Sequence, residues 1–556
     1  MSTYWRLVED AASQHADEVI LADDAGRSLT AAGLRDAAVT VAAGLWESGV
    51  RPGQVLSWQL PTILEVPVLM AACARLGVVQ NPIIPLLRHR EVGFILDQLA
   101  ARAVIVPESW RGFAHAAMVR EVGAEARRTI ISLNLDGTST SVDLRLPIGD
   151  PGCLPEPPDD GQMCRWIYYS SGTTGDPKGV RHSDSTVMAS ANGVVDGLEL
   201  RRGEIYPIAW PFAHIGGVSM LSAVLRAGGR LVLFSMFDPA ETPTKMSDHK
   251  PTILGSATPF FAAYVAAQRG HGVEPLFPEL RACVAGGAPT PLTVNREVSE
   301  VLHVPGIVGA WGLTEFPVAT SESCADDEVG TTSGRPAAGV SVRIVDGELQ
   351  LKGPQCFLGY VDTALNVGAF DDDWFRTGDL GSVNAQGRVL IEGRLKDVII
   401  RNAENVSALE VEEAILRHPV VVDAAVIGVP DERTGERVCA VVVAADGAEV
   451  RLSDLVDHCR GLGLARYKWP EQLQVVAQIP RNSMGKILKR DLIGAVTSEV
   501  TALQTPSRRT RWGHAGPQCR VRTDPSLRLR CKPPGRHGRR RLAASSRGTQ
   551  DRCGHR

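Results

Sequence analysis

None of the eleven cysteines is spaced as C-x-x-C, and no Cys/His cluster has the spacing of a zinc site, which excludes a zinc-ribbon type of metal centre. Cys73, Cys164 and Cys283 lie in apolar runs and read as buried free thiols. The start of the chain has no secretory signal. Met1-Ser2-Thr3-Tyr4-Trp5-Arg6 leads straight into an amphipathic helix pattern, so a reducing cytoplasm is the expected location. Nothing is apolar for long enough to span a membrane: the most apolar stretch, Leu60 to Pro85, is broken by Glu65, Arg75 and several prolines. There is no internal repeat and no bias toward collagen, coiled coil or disorder. What is present is 556 residues of ordinary globular composition, more than one core sustains, so two or more domains are expected. The net charge of −4 is unevenly spread. From Thr501 to Arg556 there are 15 Lys/Arg against 2 Asp/Glu, whereas the preceding 500 residues hold 44 against 61. An acidic body is followed by a basic tail rich in Arg, Pro, Gly and Ser, without apolar periodicity, for which disorder is expected.

The first half alternates strands and helices. Strands are predicted at 55–58, 78–84 and 103–106, with helices at 62–76 and 91–101 between them. The pattern resumes with strands at 165–169, 229–234, 252–254 and 282–285, several ending in Gly/Pro-rich turns. Continuous apolar strands separated by helices predict a parallel sheet covered on both faces, with ligands gathered where the strands end. A smaller α+β unit of about 100 residues follows. In it, Ser407-Ala408-Leu409-Glu410 reads as a capping box opening a helix over 409–417. Strands at 424–428 and 438–443 flank a polar connection at 431–436, and a helix at 452–459 and a strand at 474–476 complete the unit.

Directly after the strand Trp166-Ile167-Tyr168-Tyr169 comes Ser170-Ser171-Gly172-Thr173-Thr174-Gly175-Asp176-Pro177-Lys178-Gly179. Glycines let backbone N–H groups approach phosphate oxygens, hydroxyls donate further bonds, and the Lys178 ammonium balances charge. A Walker A loop would lead from its lysine into a helix; here Pro177 and Gly179 flank the lysine and disfavour one. This loop resembles the phosphate-binding motif of the adenylate-forming superfamily, which includes acyl-CoA synthetases, adenylation domains of peptide synthetases and luciferases. The resemblance covers about Trp5 to Leu492, with several motifs in family order. It implies a large N-terminal α/β domain of parallel and mixed sheets covered by helices (1–392), a hinge (393–397), and a small mobile α+β domain (398–497), leaving 498–556 as the tail. It also implies that Ser170, Ser171, Gly172, Thr173, Thr174 and Gly175 bind the nucleotide.

Gly309-Ala310-Trp311-Gly312-Leu313-Thr314-Glu315 resembles the family's Y-G-x-T-E motif. A flat aromatic, a hydroxyl and a carboxylate in one tight turn suit an adenine face, a phosphate and Mg²⁺. The resemblance gives these roles to Trp311, Thr314 and Glu315, with Glu315 the metal ligand and Trp standing where Tyr is commoner. Gly286-Gly287-Ala288-Pro289 is similar to the turn bordering adenine and acyl pocket, although two glycines equally mark a plain tight turn. Thr377-Gly378-Asp379 matches the T-G-D motif, which gives Asp379 the two ribose hydroxyls. Arg394, in Gly393-Arg394-Leu395-Lys396-Asp397, would contact ribose or phosphate, and Lys396 would be the hinge. Pro480-Arg481-Asn482-Ser483-Met484-Gly485-Lys486 resembles the terminal motif whose lysine drives adenylation. A cation between attacking carboxylate and α-phosphate offsets their repulsion.

Pro211 to Gly217 lies where the family lines its acyl pocket, so His214, Gly216 and Gly312 are expected to border the acid, His214 as a positioning residue at most. Amino-acid-activating relatives place an aspartate near here; none is present in this run, which argues for an uncharged acyl tail. The segments 55–61 and 79–85 are similar to the cyclohexanecarboxylate and medium-chain branch. The chain departs from the pattern at Arg401 to Ala408, where both glycines expected along the pantetheine path carry side chains, predicting a narrowed thiol tunnel. Together these features predict an AMP-forming acid–thiol ligase using ATP, Mg²⁺ and coenzyme A, with catalysis by Lys486, Thr314, Glu315 and Lys178. The substrate would be a fatty, branched or alicyclic acid. No specific nucleic-acid partner is expected, and a homodimer is left open. The alternatives are an acyl-AMP ligase loading a carrier protein, or a non-catalytic nucleotide-binding relative.

Overall fold

The computed structural model describes residues 2–122, 128–135, 144–170, 177–287, 290–326, 329–402, 404–431, 433–482 and 485–504. Ala103–Pro107 is buried at every position, as a strand covered on both faces must be. It lies inside a six-stranded sheet whose spatial order is Thr129–Leu133, Ala103–Pro107, Val55–Trp58, Val79–Pro82, Cys164–Ser170 and Lys178–Ser183. The first five strands run parallel and the last returns antiparallel. Lys178 therefore opens a strand, as the flanking Pro177 and Gly179 require, and not the helix of a Walker loop. A second sheet sets Ile253–Ser256, Ala282–Gly286 and Ile307–Trp311 parallel, then Thr320–Ser321 and Arg335–Pro336 antiparallel. A third joins Ser28–Thr30, Val19–Asp23, Arg230–Leu233 and Ile205–Ile208. An antiparallel sheet built on Trp374–Val383 and Val389–Arg394 leads into the C-terminal part. There Val398–Arg401, Glu404–Ser407, Val421–Asp431 and Gly435–Ala444 pair antiparallel, and Gln472–Val475 joins in parallel. This C-terminal sheet has its own core, with Ile399, Val411, Ile415, Val426 and Val438. The molecule is thus a large α/β N-terminal body with a smaller α+β C-terminal part. Among the described residues no helix is long and apolar enough to cross a membrane.

Several boundaries move for identifiable reasons. The helix expected from residue 62 begins at Glu65, because the Thr62 hydroxyl is spent on the loop, donating to Trp210 O (2.7 Å) and accepting from Phe212 N (3.1 Å). The strand expected over 78–84 is only Val79–Pro82, Pro82 and Pro85 having no N–H for a ladder. The helix expected over 91–101 is His89–Gln98, closed by Ala100 in the left-handed region. Ser407 caps the helix Ala408–Ile415 by accepting from Glu410 N. The reciprocal half of a capping box is not made, because both Glu410 oxygens take the Lys468 ammonium at 2.7 Å. The strands expected at 424–428 and 438–443 lengthen to Val421–Asp431 and Gly435–Ala444, their polar connection being a tight turn with Asp431 accepting from Thr434. Cys73 and Cys283 are buried, but Cys164 is only half-buried. The last helix, Lys489–Gln504, continues past the expected domain end at 497, with no proline to stop it before Pro506. The rest of the basic tail lies outside the described residues.

Glu322 anchors the strand that delivers the site. Its side chain is fully buried, and its carboxylate accepts from Gly309 N, Gly330 N, Thr332 N and Thr332 Oγ1 at 2.7 to 3.0 Å. A neutral amide turns an NH₂ toward these donors and leaves some of them unpaired. Glu322→Gln should therefore destabilise the large body by about 2–4 kcal/mol. The check is the shift in its urea midpoint, and a change below about 0.5 kcal/mol would contradict this anchoring role.

Candidate functional site

The site forms where Ile307–Trp311 ends. The following turn is closed by reciprocal backbone bonds between Leu313 and Phe316. Gly312 must be glycine there, since a Cβ would lie 2.5 Å from Val318 N. The turn is tied back to the six-stranded sheet by His182, whose Nε2 lies 2.8 Å from Thr314 O and whose Nδ1 lies 2.9 Å from Thr186 Oγ1. Burial pushes His182 down to about 4, so the ring is neutral. Nε2–H then donates to the Thr314 carbonyl, and Nδ1 accepts the Thr186 hydroxyl. Glu315 is 8 % exposed, and its Oε1 accepts from Tyr360 Oη (2.9 Å) and Ser170 Oγ (3.3 Å). Lys178 Nζ stands 5.7 Å from the centre of the Tyr360 ring. Two strand ends and the Gly359-Tyr360 turn thus bring Ser170, Lys178 and Glu315 together. Among the described residues no hydrogen bond falls on Glu315 Oε2, and no three His, Cys, Asp or Glu side chains form a metal cluster. A divalent cation fits only as an ion shared between Glu315 and phosphate oxygens, which is how Mg²⁺ commonly binds.

A second group meets the first from the antiparallel sheet. Asp379 and Arg394 face each other across the strand pair, with Arg394 Nε 2.7 Å from Asp379 Oδ1. Asp379 is 2 % exposed, and Trp311 Nε1 donates to its Oδ2 at 2.9 Å. Burial pushes this carboxyl up, against the pull of Arg394, the indole N–H, Lys486 and Lys396. Lys396 is pushed down by burial and by the charges of Arg394 and Lys178, with Asp397 and Asp379 opposing. Lys486 is pushed down to about 8, by burial first and then by Arg394 and Lys396. Arg394, Lys396 and Lys486 therefore share one small region around Asp379, and Lys178 reaches its edge beside Lys396.

The hairpin carrying Lys486 is held from its own side. Lys486 N donates to Asn482 Oδ1 and Asn482 N to Lys486 O, both at 2.9 Å. Arg481 bridges Gly485 O (2.6 Å) and Asp423 Oδ1 (2.7 Å). Gly485 adopts φ +77°, and a Cβ there would lie 3.3 Å from the Ala257 Cβ, which places this hairpin against the large body just beyond Ile253–Ser256.

The remaining expected residues divide. Ser171, Gly172, Thr173, Thr174, Gly175 and Ala288 lie outside the described residues. Gly286 ends its strand, and Gly287, at φ +84°, borders open space. His214 caps the helix Ile215–Ala227, its Nδ1 accepting from Gly216 N at 3.2 Å. Burial pushes it down to about 4, so it carries no charge. It lines a narrow cleft of about 20 Å³ together with Thr314, Ile84, Leu87, Tyr168 and Ile215. Gly216 sits beside it, where a Cβ would come 3.4 Å from both His214 Nδ1 and the Trp210 ring. Tyr360, His182 and Asp423 were missed from sequence. Arg481 and Asn482 stood inside a quoted motif without a role. Only Tyr360, directly after a glycine at φ +103°, left a local signal.

The AMP-binding enzyme family matches residues 8–361, and the AMP-binding enzyme C-terminal domain matches residues 410–486. The chain belongs to the AMP-binding enzyme family. A medium-chain fatty-acid–CoA ligase of Escherichia coli (strain K12) is 28% identical, over 90% of this chain and 92% of the relative. A salicylyl-CoA synthase / salicylate adenylyltransferase of a Streptomyces species is 31% identical, over 90% and 96%. Among solved structures, ATP-bound MatB from Rhodopseudomonas palustris superposes with a TM-score of 0.78 at 27% identity, covering 89% of this chain and 99% of that one.

A depressed lysine beside three other positive groups gains a proton when a polyanion arrives. ATP binding should therefore take up protons above pH 8, and affinity should weaken by up to about tenfold per pH unit beyond that point. Calorimetry in buffers of different ionisation enthalpy measures this. Lys486→Met should lose most of the slope, and an unchanged slope in that variant would assign the proton elsewhere.

Proposed function

We propose that the protein is an AMP-forming acid–thiol ligase that activates a carboxylic acid with ATP and transfers the acyl group to coenzyme A. The observation carrying this reading is the convergence of Arg394, Lys396 and Lys486 on the carboxylate Asp379, with Lys178 beside Lys396. So many cations in one place call for a polyphosphate. In the first half-reaction a carboxylate oxygen attacks the α-phosphorus and pyrophosphate leaves. Lys486 bridges the two anionic reactants, Thr314 donates to the α-phosphate, and Lys178 holds the departing phosphates. Glu315 would hold Mg²⁺, which would supply charge neutralisation on the phosphates. Trp311 stacks on adenine and Asp379 binds the ribose. In the second half-reaction the small domain turns about Lys396 and withdraws Lys486. The coenzyme A thiol then attacks the acyl carbonyl and AMP leaves. One site thereby runs two chemistries in turn.

The relatives' acids, fatty and aromatic, and the largely apolar lining of the cleft beside neutral His214 support an acid with an uncharged tail, whether fatty, branched or alicyclic. The absence of disulfides among the described cysteines supports a cytoplasmic location.

Lys486→Ala separates the two steps. It should lower acid-dependent pyrophosphate exchange by about a thousandfold or more while leaving thioester formation from supplied acyl adenylate within about threefold of wild type. Equal loss in both assays would refute the division of labour.

A further inference from the structure

The face of Trp311 is given to adenine in the reading above, and the present inference rests on that reading. The edge of the ring makes a separate contact. Its Nε1–H lies 2.9 Å from Asp379 Oδ2, and among the described residues this is the one hydrogen bond on the carboxylate. Arg394 balances the charge at Oδ1 from 2.7 Å, yet Oδ1 is a buried acceptor with no hydrogen-bond donor. A carboxylate turns about a broad, two-fold torsion, so charge alone does not fix the plane of its oxygens. A hydrogen bond to one oxygen does, and it thereby aims the other. With Oδ1 buried against Arg394, a ligand hydroxyl would be accepted at Oδ2, which keeps a second lone pair beside the indole. Tyrosine and phenylalanine offer the same flat face but no N–H on that edge.

We propose that Trp311 is a positioning residue for Asp379, its indole N–H orienting the carboxylate toward the sugar hydroxyls, so that preference for a ribonucleotide over a 2′-deoxyribonucleotide runs through this bond. Stacking and sugar selection are thus joined in one side chain. Loss of stacking weakens ATP and 2′-deoxy-ATP alike, because their bases are identical. Loss of Asp379 orientation penalises ATP more, because 2′-deoxy-ATP offers the carboxylate only its 3′-hydroxyl.

The test is calorimetric binding of ATP and of 2′-deoxy-ATP to the full chain in wild type, Trp311→Phe and Trp311→Tyr, with thermal melts to check folding. The wild type should prefer ATP, and in both variants the ratio of the two Kd values should shrink by about fivefold to tenfold. Either variant alone carries the comparison if the other does not fold. Parallel weakening of both nucleotides with an unchanged ratio makes Trp311 a stacking surface only and overturns the proposal. A wild type that binds ATP without preference over 2′-deoxy-ATP also overturns it while leaving the nucleotide reading intact. A wild type that binds neither nucleotide removes that reading as well.

Discussion

Positive charge held out of water is the constraint around which this molecule is arranged. Lys178, Arg394, Lys396 and Lys486 are drawn from separate stretches of chain into one partly buried region, where burial and the neighbouring cations push Lys396 and Lys486 down. Asp379 offsets part of that cost and is itself driven up by burial, so neither sign is comfortable without a ligand. On the proposed reading, entering phosphates would offset that repulsion. Sheet ends supply the fixed groups, with Lys178 opening one strand and Asp379 and Arg394 facing each other across a register pair. Lys486 sits on a hairpin of the smaller part, shaped by Arg481 and Asn482 and meeting the large body at the close approach of Gly485 to Ala257.

The rest of the architecture reads as support for that arrangement. Glu322 collects four donors and so fixes the strand ending in Trp311. His182 is neutral because it is buried, and being neutral it can both hold the Thr314 carbonyl and accept from Thr186. Tyr360 donates to Glu315 and turns its ring toward Lys178, which joins the acidic and basic groups of the region. None of these three contacts the proposed reactants directly, yet each sets the direction of a group that does.

Short motifs were legible because their chemistry is contiguous. Trp311 through Glu315 occupies one turn, and Asp379 lies in a Thr-Gly-Asp triplet whose own hydroxyl, Thr377 Oγ1, accepts from the Asp379 amide. Arg394 was legible as a neighbouring motif, but only the strand register explains why it stands opposite Asp379. Tyr360, His182 and Glu322 were not legible, since the contact that gives each its meaning crosses from one chain segment to another. His182 and Thr314, for example, are 132 residues apart. Element ends were misjudged where a side chain found a better partner than its own helix, as Thr62 did with Trp210 and Glu410 with Lys468. The N–H of Trp311 is a further case: substitution for the commoner Tyr reads from sequence as a conserved face, and only the fold shows what its edge touches.

The central claim is that a carboxylate oxygen attacks the α-phosphorus beside Lys486. An acid that the enzyme turns over, labelled with ¹⁸O in both carboxyl oxygens, follows that bond directly. Mass spectrometry of the products should find one labelled oxygen in AMP and none in pyrophosphate, because the bridging oxygen of the anhydride leaves with the nucleotide when the thiol attacks. Unlabelled AMP, or label in pyrophosphate or inorganic phosphate, would place the attack at another atom and contradict the account.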